Sequence, residues 1–374
     1  MNHSWEYKRL GEVCDIYQPK TISTKDLVES GEYDVFGANG IIGKYTSYNH
    51  EEPEVLLTCR GATCGTINLS NPKSWINGNA MVVHPKSEGL SKSYLRIVLQ
   101  AVDYTGVITG AAQPQITRIS LSPVVIPLPS LEKQNQIVSE LGRLNELIEL
   151  KRNQFKDLDT LAQSLFYETF GDPIENPKGW QTYLIKDVSA ILRDGPFGSN
   201  LKSDHYTTSG VRVIRLQNIG VGYYNNEDCA YISESHWTKI SKYTCFPGDI
   251  VIGTLGNPNI RACIVPQFIE KAVHKADCVR LVPNKSLLNS YYVTAYINTE
   301  TFLNYALKDS HGATRSRISC GQIAKLRIPV PPLSLQNEFA MKIKAIEEQK
   351  RRIESSIADL QTLLESRMDY WFND

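Results

Sequence analysis

The feature that most constrains this chain is an internal repeat of its own sequence. Residues 110–172 align with residues 312–374 at an offset of 202, without a gap over 63 positions. Within this stretch the pattern Ile-Pro-x-Pro-x-Leu-x-x-Gln-Asn occurs at residues 126–135 and again at residues 328–337. Chance similarity between two helical segments would not keep its register through a proline-rich turn as well. The sequence therefore predicts two copies of one structural unit in a single chain.

The earlier parts of the two copies align at shorter offsets. Residues 55–61 match residues 250–256 at an offset of 195, and Trp5 matches Trp180 at an offset of 175. The second copy thus holds about 27 additional residues, the difference between offsets of 202 and 175, before its last third. Insertions of this kind fall in surface loops, which often carry recognition. Two copies are too few for a solenoid, so a pseudo-dimer is expected.

Each copy has a first part of short strands and a second part that is one long helix. The first part combines β-branched and aromatic residues with Gly, Asn and Pro, which is typical of strands and loops with few helices. In the second part apolar residues recur at alternating spacings of four and three, the pattern of a coiled-coil seam. The predicted seam residues are Ile137, Leu141, Leu144, Ile148, Phe155, Leu158 and Leu165 in the first helix and Phe339, Ile343, Ile346, Ile353, Ile357, Leu360 and Leu364 in the second.

One lysine interrupts each seam, at positions that are not equivalent in the two copies. Lys151 lies in the first helix and Lys350 in the second. These lysines are compatible with fixing the register of the helix pair and equally with side chains that extend from the edge of the seam into water.

The repeat divides the chain into four segments. A linker with two prolines and two glycines, residues 171–179, ends the first helix and begins the second copy. We expect a first globular domain over residues 1–130, a first helix and the start of the linker over 131–172, a second domain over 173–332 and a second helix over 333–374.

These residues resemble the specificity (S) subunits of type I restriction-modification enzymes. The resemblance rests on the early Trp5, the loop Asn39-Gly40-Ile41-Ile42-Gly43, the proline-rich entry to each helix and the linker between the copies. It covers the whole chain in the order of that family. It implies an α+β fold: two similar mixed α/β target-recognition domains separated by two long helices, which pack as an antiparallel coiled coil with pseudo-two-fold symmetry.

The resemblance also implies a function and a set of partners. Each domain would read one half of a split, asymmetric site in double-stranded DNA. Methyltransferase subunits, two of them expected, would dock on the chain, and restriction subunits would join for cleavage. S-adenosylmethionine and ATP with Mg²⁺ would belong to those partner subunits, with no cofactor bound by this chain. Similarity extends to specificity subunits of some type IIB systems, so that alternative stays open.

The chain lacks the motifs that these chemistries require. Adenine methylation needs an Asp/Asn-Pro-Pro-aromatic loop, whereas residues 257–260 read Asn-Pro-Asn-Ile and better fit a turn. The phosphate-binding pattern G-x-x-x-x-G-K-S/T is absent from the sequence. The eight cysteines form no C-x-x-C pair, which favours free buried thiols in a reducing cytoplasm over a metal site. We therefore expect a cytoplasmic, non-catalytic chain without a membrane span or metal.

Charge and side-chain type select candidate DNA contacts. Residues 173–332 carry 18 basic and 12 acidic side chains, whereas residues 1–130 carry 11 and 12, so positive charge is concentrated in the second domain. Arginine and glutamine read base edges, while lysine mostly contacts phosphate. The candidates are Lys44, Arg60, Gln113, Gln115 and Arg118 in the first domain and Arg193, Lys202, Arg212, Arg215, Gln217, Arg261, Arg315 and Arg317 in the second.

Two of these positions allow the copies to be compared. Arg315-x-Arg317 occupies the repeat slot of Gln113-x-Gln115, as expected if the domains read different bases in the same frame. Arg60 has Leu255 as its counterpart, which puts a shared role for that slot in doubt, and a plain surface arginine fits it equally well. A different class of function, a coiled-coil scaffold that binds only protein partners, is the competing hypothesis.

Overall fold

The computed structural model describes residues 5–110, 113–308 and 317–372. One candidate, Arg315, lies outside the described residues. The chain forms two compact units, of which unit 2 is one continuous segment and unit 1 is made of two segments. Unit 1 comprises Met1–Arg152 with Ser355–Asp374, and unit 2 comprises Asn153–Glu354. Each unit therefore contains one globular domain and one part of each long helix.

Two small sheets build the domain of unit 1. The main sheet has the antiparallel order β2-β8-β5-β6, and a second sheet has the order β4-β3-β7 with β3 parallel to β7. A separate pair joins β1 to β9. The strands are β1 (Glu6–Arg9), β2 (Cys14–Tyr17), β3 (Tyr33–Gly37), β4 (Gly40–Tyr45), β5 (Val55–Thr58), β6 (Ile67–Leu69), β7 (Trp75–Ile76), β8 (Ala80–Pro85) and β9 (Val125–Leu128), and the helices are α1 (Leu10–Val13), α2 (Lys92–Ala101), α3 (Arg118–Leu121) and α4 (Leu131–Phe170).

Unit 2 repeats this topology with additions. Its main sheet has the order β11-β19-β16-β17, and in the second sheet, β12-β14-β13-β18-β15, strands β13 and β18 are again parallel. The strands are β10 (Thr182–Leu184), β11 (Ser189–Asp194), β12 (Tyr206–Thr207), β13 (Val211–Ile214), β14 (Ala230–Ile232), β15 (Thr244–Cys245), β16 (Ile250–Gly253), β17 (Arg261–Ile264), β18 (Ala272–His274), β19 (Cys278–Pro283) and β20 (Arg327–Pro329), and the helices are α5 (Glu234–Lys239), α6 (Ser290–Ile297), α7 (Glu300–Leu307), α8 (Cys320–Lys325) and α9 (Leu333–Phe372).

The additional residues of the second copy form structure of their own. Short strands β12 and β15 extend the second sheet at both edges, and α5 lies between them in the chain. The parallel pair is repeated in both units even though sequence similarity there is weak. The repeat of topology is therefore more complete than the repeat of sequence.

The two long helices run antiparallel, as predicted. In unit 1 Arg367 of α9 pairs with Glu140 of α4, and in unit 2 Lys350 of α9 pairs with Asp159 of α4 at 2.5 Å. The later contact residue of α9, Arg367, thus pairs with the earlier contact residue of α4, Glu140, which confirms the antiparallel pairing. Each of the predicted seam side chains is buried or half-buried.

A buried glutamine attaches each domain to the start of its long helix. The amide of Gln134 in α4 donates to the carbonyls of Gly89 and Pro129, at 2.8 and 2.9 Å, and its oxygen accepts from the Ser91 amide. Gln336 in α9 repeats these contacts with the carbonyls of Leu287 and Pro331 and the Asn289 amide. Both glutamines are fully buried. Since Ser91 and Asn289 cap α2 and α6, each glutamine ties two helix starts together.

The core of each domain continues into the helices. In unit 1 Ile137 and Leu141 of α4 and Trp371 of α9 belong to the same buried cluster as the strands of the main sheet. In unit 2 Phe166 of α4 and Phe339 of α9 belong to the same buried cluster as the strands of its main sheet. The apolar seam and the domain core are thus one continuous hydrophobic interior in each unit. Among the described helices, none is both long and apolar enough to cross a membrane.

Candidate nucleic-acid interface

Loops that carry four of the candidate residues converge at one end of the sheets of unit 1. Strands β2 and β5 both pair antiparallel with β8, so both end where β8 begins. The loops are joined by hydrogen bonds from the Gln18 amide to the Gly78 carbonyl and from the Gly61 and Ile116 amides to the Pro114 and Cys59 carbonyls. We call this set the loop edge of unit 1: residues 18–22, 59–65, 77–79 and 113–118.

Arg60 and Gln115 lie opposite each other within this loop edge. Their backbones form an isolated antiparallel bridge. The next residue, Gly61, has a φ of +90°, a conformation that favours glycine and turns the chain sharply away. The side chains of Arg60, Gln113 and Arg118 are exposed, and Gln115 is half-buried. The structure thus brings Arg60 together with three candidates that lie more than fifty residues later in the sequence.

Lys44 does not belong to this group. It lies near the end of β4 that is remote from the loop edge, where its ammonium contacts the Asp34 carboxylate at 3.1 Å. The Asn71 amide also donates to Asp34, and hydrogen bonds from Asn71 and Lys44 lower the pKa of that carboxyl group. Lys44 is therefore an exposed residue with a local anionic partner, separate from the other candidates.

Unit 2 has an equivalent loop edge built from the corresponding loops. Its segments are residues 194–200, from the last residue of β11 onward, 215–219 after β13, 254–261, from the end of β16 to the first residue of β17, 275–277 between β18 and β19, and 317–318. Amide-to-carbonyl bonds join them: Gly195 to Cys278, Lys275 to Ile214, Thr254 to Asp277 and Ile318 to Thr254. Because β13 and β18 are parallel, their carboxyl ends meet here.

The slot shared by Gln115 and Arg317 is conserved in geometry between the units. The amide of Ile116, which follows Gln115, donates to the Cys59 carbonyl, and the amide of Ile318, which follows Arg317, donates to the Thr254 carbonyl. The backbone frame therefore repeats, while the side chain that it presents changes from an amide to a guanidinium group.

Two predicted readers have structural roles instead. Arg212 is only 7% exposed, and its guanidinium group donates to the hydroxyls of Tyr224 and Tyr231 and to the Asp228 carbonyl. A side chain buried in this way cannot reach a base edge without disrupting the domain. The prediction that Arg212 contacts DNA is corrected accordingly.

Arg261 is a second correction. All three of its guanidinium nitrogens donate to backbone carbonyls, those of Leu216, Ile219, Leu255 and Pro258, at 2.6 to 3.0 Å. Carbonyl groups in loops need such donors when they are withdrawn from water. Arg261 thus fixes the loop edge from within, and it retains little capacity to read bases.

The remaining candidates of unit 2 differ in how far their polar groups are engaged. Arg215 and Gln217 both bind the Asp228 carboxylate, and Arg193 donates to the Lys242 carbonyl at 2.7 Å. Lys202 is exposed, and no ion pair involving it occurs among the described residues. Arg317 is 41% exposed and contacts Asp277 at 3.4 Å and the Ala276 carbonyl at 3.0 Å.

A buried histidine and a half-buried aspartate lie at this loop edge. Burial lowers the pKa of His274 to about 4, and its ring nitrogens contact the carbonyls of Tyr243 and Arg193 at 2.9 and 3.2 Å. Burial raises the pKa of Asp194 at the end of β11, an effect that the charge of Arg317 opposes. The neutral imidazole therefore connects β18 to the end of β11.

Two residues of this loop edge were missed from the sequence. Phe197 is 49% exposed, with the Arg317 guanidinium 5.8 Å from its ring centre. Lys275 lies between β18 and β19, 6.0 Å from the ring of Tyr206. The signal for Phe197 was available, since a phenylalanine in Gly-Pro-Phe-Gly, residues 195–198, has little opportunity to be buried in a regular strand.

The cysteines and other ligating side chains form no metal cluster in the part of the chain that the structure describes. The prediction of uniformly buried thiols was wrong for three cysteines. Cys64 and Cys320 are half-buried and Cys229 is exposed. A hydrogen bond with Arg212 lowers the pKa of the Cys229 thiol.

Comparison with known proteins gives a consistent family. The model of the family described as "Type I restriction modification DNA specificity domain" matches residues 2–159 and again residues 177–360. The chain is 22% identical over 96% of its length to the type I restriction enzyme MjaVIII specificity subunit of Methanocaldococcus jannaschii, of which it covers 92%. It is 24% identical over 89% of its length to a putative type I specificity subunit of Haemophilus influenzae, covering 85% of that protein.

Solved structures agree on the fold. The type I restriction-modification S subunit from M. genitalium aligns over 100% of this chain and 97% of its own, with a TM-score of 0.62 at 14% identity. A structure described under complex assembly and conformational transition of the type I restriction-modification system aligns over 98% of this chain and 96% of its own, with a TM-score of 0.58 at 18% identity. The two-copy architecture with paired long helices is therefore a known fold.

Proposed function

Since this chain belongs to the family of type I restriction-modification DNA specificity domains, we propose that it reads a bipartite, asymmetric DNA site. The loop edge of unit 1 contacts one half of the site, and the loop edge of unit 2 contacts the other. The observation that carries this proposal is the repeated slot of Gln115 and Arg317. One backbone frame holds different polar side chains in the two units, as required for two readers of different bases.

The distribution of charge supports a division of labour between the domains. The second domain has a net charge of +6, from 18 basic and 12 acidic side chains, whereas the first has 11 and 12. Phosphate contacts supply most of the sequence-independent affinity for DNA. We therefore expect the second domain to supply more of that affinity, while base contacts at both loop edges select the sequence.

The proposal includes partners that perform the chemistry. The chain would be a non-catalytic cytoplasmic subunit that docks methyltransferase subunits, two of them expected, and restriction subunits. S-adenosylmethionine, ATP and Mg²⁺ would bind to those partners. The neighbour described under assembly of the type I restriction-modification system supports this organisation.

A methylation map tests the division of the target directly. The chain is co-expressed with its methyltransferase subunits, and the modified motif is determined by methylome sequencing. Arg60→Ala should relax one half of the motif and Arg317→Ala the other, since a lost bidentate base contact costs ~1–3 kcal/mol. Lys44→Ala is the matched control, because Lys44 is exposed and basic but lies away from the loop edge.

The outcomes distinguish the alternatives. Relaxation of the same half by both arginine variants would contradict the assignment of one unit to each half. Unchanged motifs would show that neither arginine reads bases. If the chain assembles with its partners but the complex binds no DNA at low salt, the scaffold hypothesis replaces DNA recognition. Cleavage at fixed distances on both sides of the target would identify a type IIB-like system.

A further inference from the structure

The loop edge of unit 2 presents an aromatic ring to solvent. Phe197 follows β11 and is 49% exposed. An apolar ring of this size normally lies in a core, because burial of a phenylalanine side chain contributes ~1.5–3 kcal/mol to stability. The guanidinium group of Arg317 lies 5.8 Å from the ring centre, which leaves much of the ring open to a partner.

The backbone holds this ring outward. A Cβ atom on Gly195 would lie 2.2 Å from the Lys275 carbonyl oxygen. The backbone at Gly195 is therefore in close contact with the loop that follows β18. The Gly195 amide donates to the Cys278 carbonyl at 3.2 Å, and the Asn200 side chain donates to the Phe197 carbonyl at 3.0 Å. The next residue, Leu201, is buried in a core cluster. The loop is therefore anchored on both sides of Phe197, and little conformational entropy is lost when the ring meets a ligand.

One cationic side chain lies against the ring, and a second belongs to the neighbouring loop of the same loop edge. Arg317 is oriented by Asp277 at 3.4 Å and by the Ala276 carbonyl at 3.0 Å. Lys275 is half-buried, and the described residues offer it no carboxylate within ion-pair distance. An exposed ring beside an arginine, in a loop edge that also carries Lys275, matches the combination of base-stacking and phosphate-binding side chains that nucleic-acid-binding proteins use.

Within the loop edges as the structure describes them, an aromatic side chain occurs in unit 2 and not in unit 1. In the main sheets, Leu192 pairs with Leu281 of β19, and Ile16 pairs with Val83 of β8. Leu192 and Ile16 are therefore equivalent positions. Phe197 and Thr21 each follow five residues later, so they correspond as well. The Thr21 hydroxyl accepts a hydrogen bond from the Gly78 amide at 3.1 Å. The aromatic ring is therefore a specific property of the second unit and not a requirement of the fold.

We propose that Phe197 acts as a wedge that enters the base stack beside the half-site read by unit 2, next to the base that Arg317 reads and with Lys275 on the flanking DNA backbone. This inference rests on the proposed function. Apolar side chains inserted between base steps unstack them and bend the duplex. A step opened in this way also lowers the cost of extruding a neighbouring base, which a methyltransferase must do before it can act.

Fluorescence of 2-aminopurine tests the wedge. The complex of the full chain with its methyltransferase subunits is bound to duplexes that carry the motif found by methylome sequencing. The analogue replaces one base at a time in and beside both half-sites, and its emission rises on unstacking. We expect a rise at one step beside the half-site of unit 2, its loss in Phe197→Ala and its retention in Phe197→Trp.

A matched control is available in the same unit. Phe246 is also 49% exposed, but it precedes β16 and so lies at the opposite end of that strand from the loop edge. Phe246→Ala should leave the 2-aminopurine signal unchanged. Phe197→Ala should weaken target binding by about 5- to 150-fold, the range that stacking contacts give on alanine substitution.

A second readout uses the tryptophan variant itself. The indole emission that Phe197→Trp adds to the wild-type spectrum should be quenched by target duplex, because stacked bases quench tryptophan. Equal 2-aminopurine signals in wild type and Phe197→Ala, with tight binding by both, would overturn the wedge and leave the proposed function intact. Absence of any DNA binding by the wild-type complex would instead refute the proposed function, and the wedge with it.

Discussion

Gln134 and Gln336 are the residues whose replacement should most directly detach a domain from its helix. Gln134→Ala leaves the Ser91 amide and the Gly89 and Pro129 carbonyls without their partner in a fully buried site. Unsatisfied buried groups cost ~1–3 kcal/mol each, so we expect a loss of at least ~2 kcal/mol in the free energy of unfolding of unit 1. Urea denaturation checks this.

The repeat supplies a second, matched test of the same interaction. Gln336→Ala should destabilise unit 2 by a similar amount, because its three contacts are equivalent. Asn135→Ala, at the exposed position next to Gln134, should have little effect. A similar loss in Asn135→Ala and Gln134→Ala would show that the buried hydrogen bonds do not account for the stability.

His274 should make the stability of unit 2 dependent on pH. Its pKa is lowered to about 4 by burial, with the Arg280 charge acting in the same direction, against ~6.5 in an unfolded chain. The unfolded state therefore binds the proton first, so stability is full above about pH 6.5 and falls as pH drops towards 4, by ~3 kcal/mol. His274→Gln should flatten this dependence in urea titrations at pH 7 and pH 5. An unchanged slope would assign the acid sensitivity to other groups.

Side-chain type selects candidate DNA contacts from the sequence, but it does not tell which candidates already bind other groups of the protein. Arg212, Arg261 and Arg317 are all basic residues near glycine or aromatic positions, and the sequence ranks them alike. The structure separates them, because Arg212 is buried among tyrosines and Arg261 binds four carbonyls, while Arg317 keeps an exposed face. Those partners are up to 45 residues away in the chain, and residue spacing carries no information about them.

At the scale of elements, the ion pairs of the coiled coil should specify which helix pairs with which. Arg367 contacts Glu140 in unit 1 and Lys350 contacts Asp159 in unit 2. Their repeat equivalents at an offset of 202 are Leu165, Lys342, Ile148 and Gln361, so neither pair is duplicated. Pairing of α4 with another α4, or of α9 with another α9, would leave these charges without their partners.

A double-mutant cycle measures this contribution. Glu140→Arg should destabilise unit 1, since it places two cations together beside Trp371, and Arg367→Glu in the same chain should restore much of the loss. The coupling energy should be ~0.5–1 kcal/mol, because both side chains are 30% exposed and solvent screens the pair. Additive effects of the two substitutions would show that the pair contributes no specificity.

The helices were the elements best predicted from sequence, and the sheets the least. The proline-rich entry and the spacing of four and three residues locate α4 and α9, which begin at Leu131 and Leu333. Those signals are local. The parallel pairs β3 with β7 and β13 with β18 join strands far apart in the chain, and strands of two to five residues leave too short a pattern to reveal their partners.

At the scale of the whole molecule, the repeat in sequence and the units in space do not coincide. The sequence divides the chain near residue 172, whereas the units exchange segments of both helices, at residues 152–153 and 354–355. A fragment of residues 1–172 or 173–374 would therefore keep one domain but lose part of the helix pair that completes its core. Substitutions in the full chain are the sounder way to compare the two domains.

This exchange of segments imposes an order on biosynthesis. Unit 2 is complete once Glu354 has been made, but unit 1 needs residues 355–372, including Trp371, whose ring stacks on that of Trp5 at 6.0 Å. At ~5–20 residues per second, the first domain waits roughly ten seconds or more for its last core residues. A nascent chain that ends at Glu354 and is extended by a flexible linker long enough to bring that residue out of the ribosome should hold a protease-resistant unit 2 and a first domain that is still cleaved. Simultaneous protection of both would contradict this order. The domain that is translated first is thus the domain that completes its core last. Until residues 355–372 cover its apolar face, other molecules must cover that face.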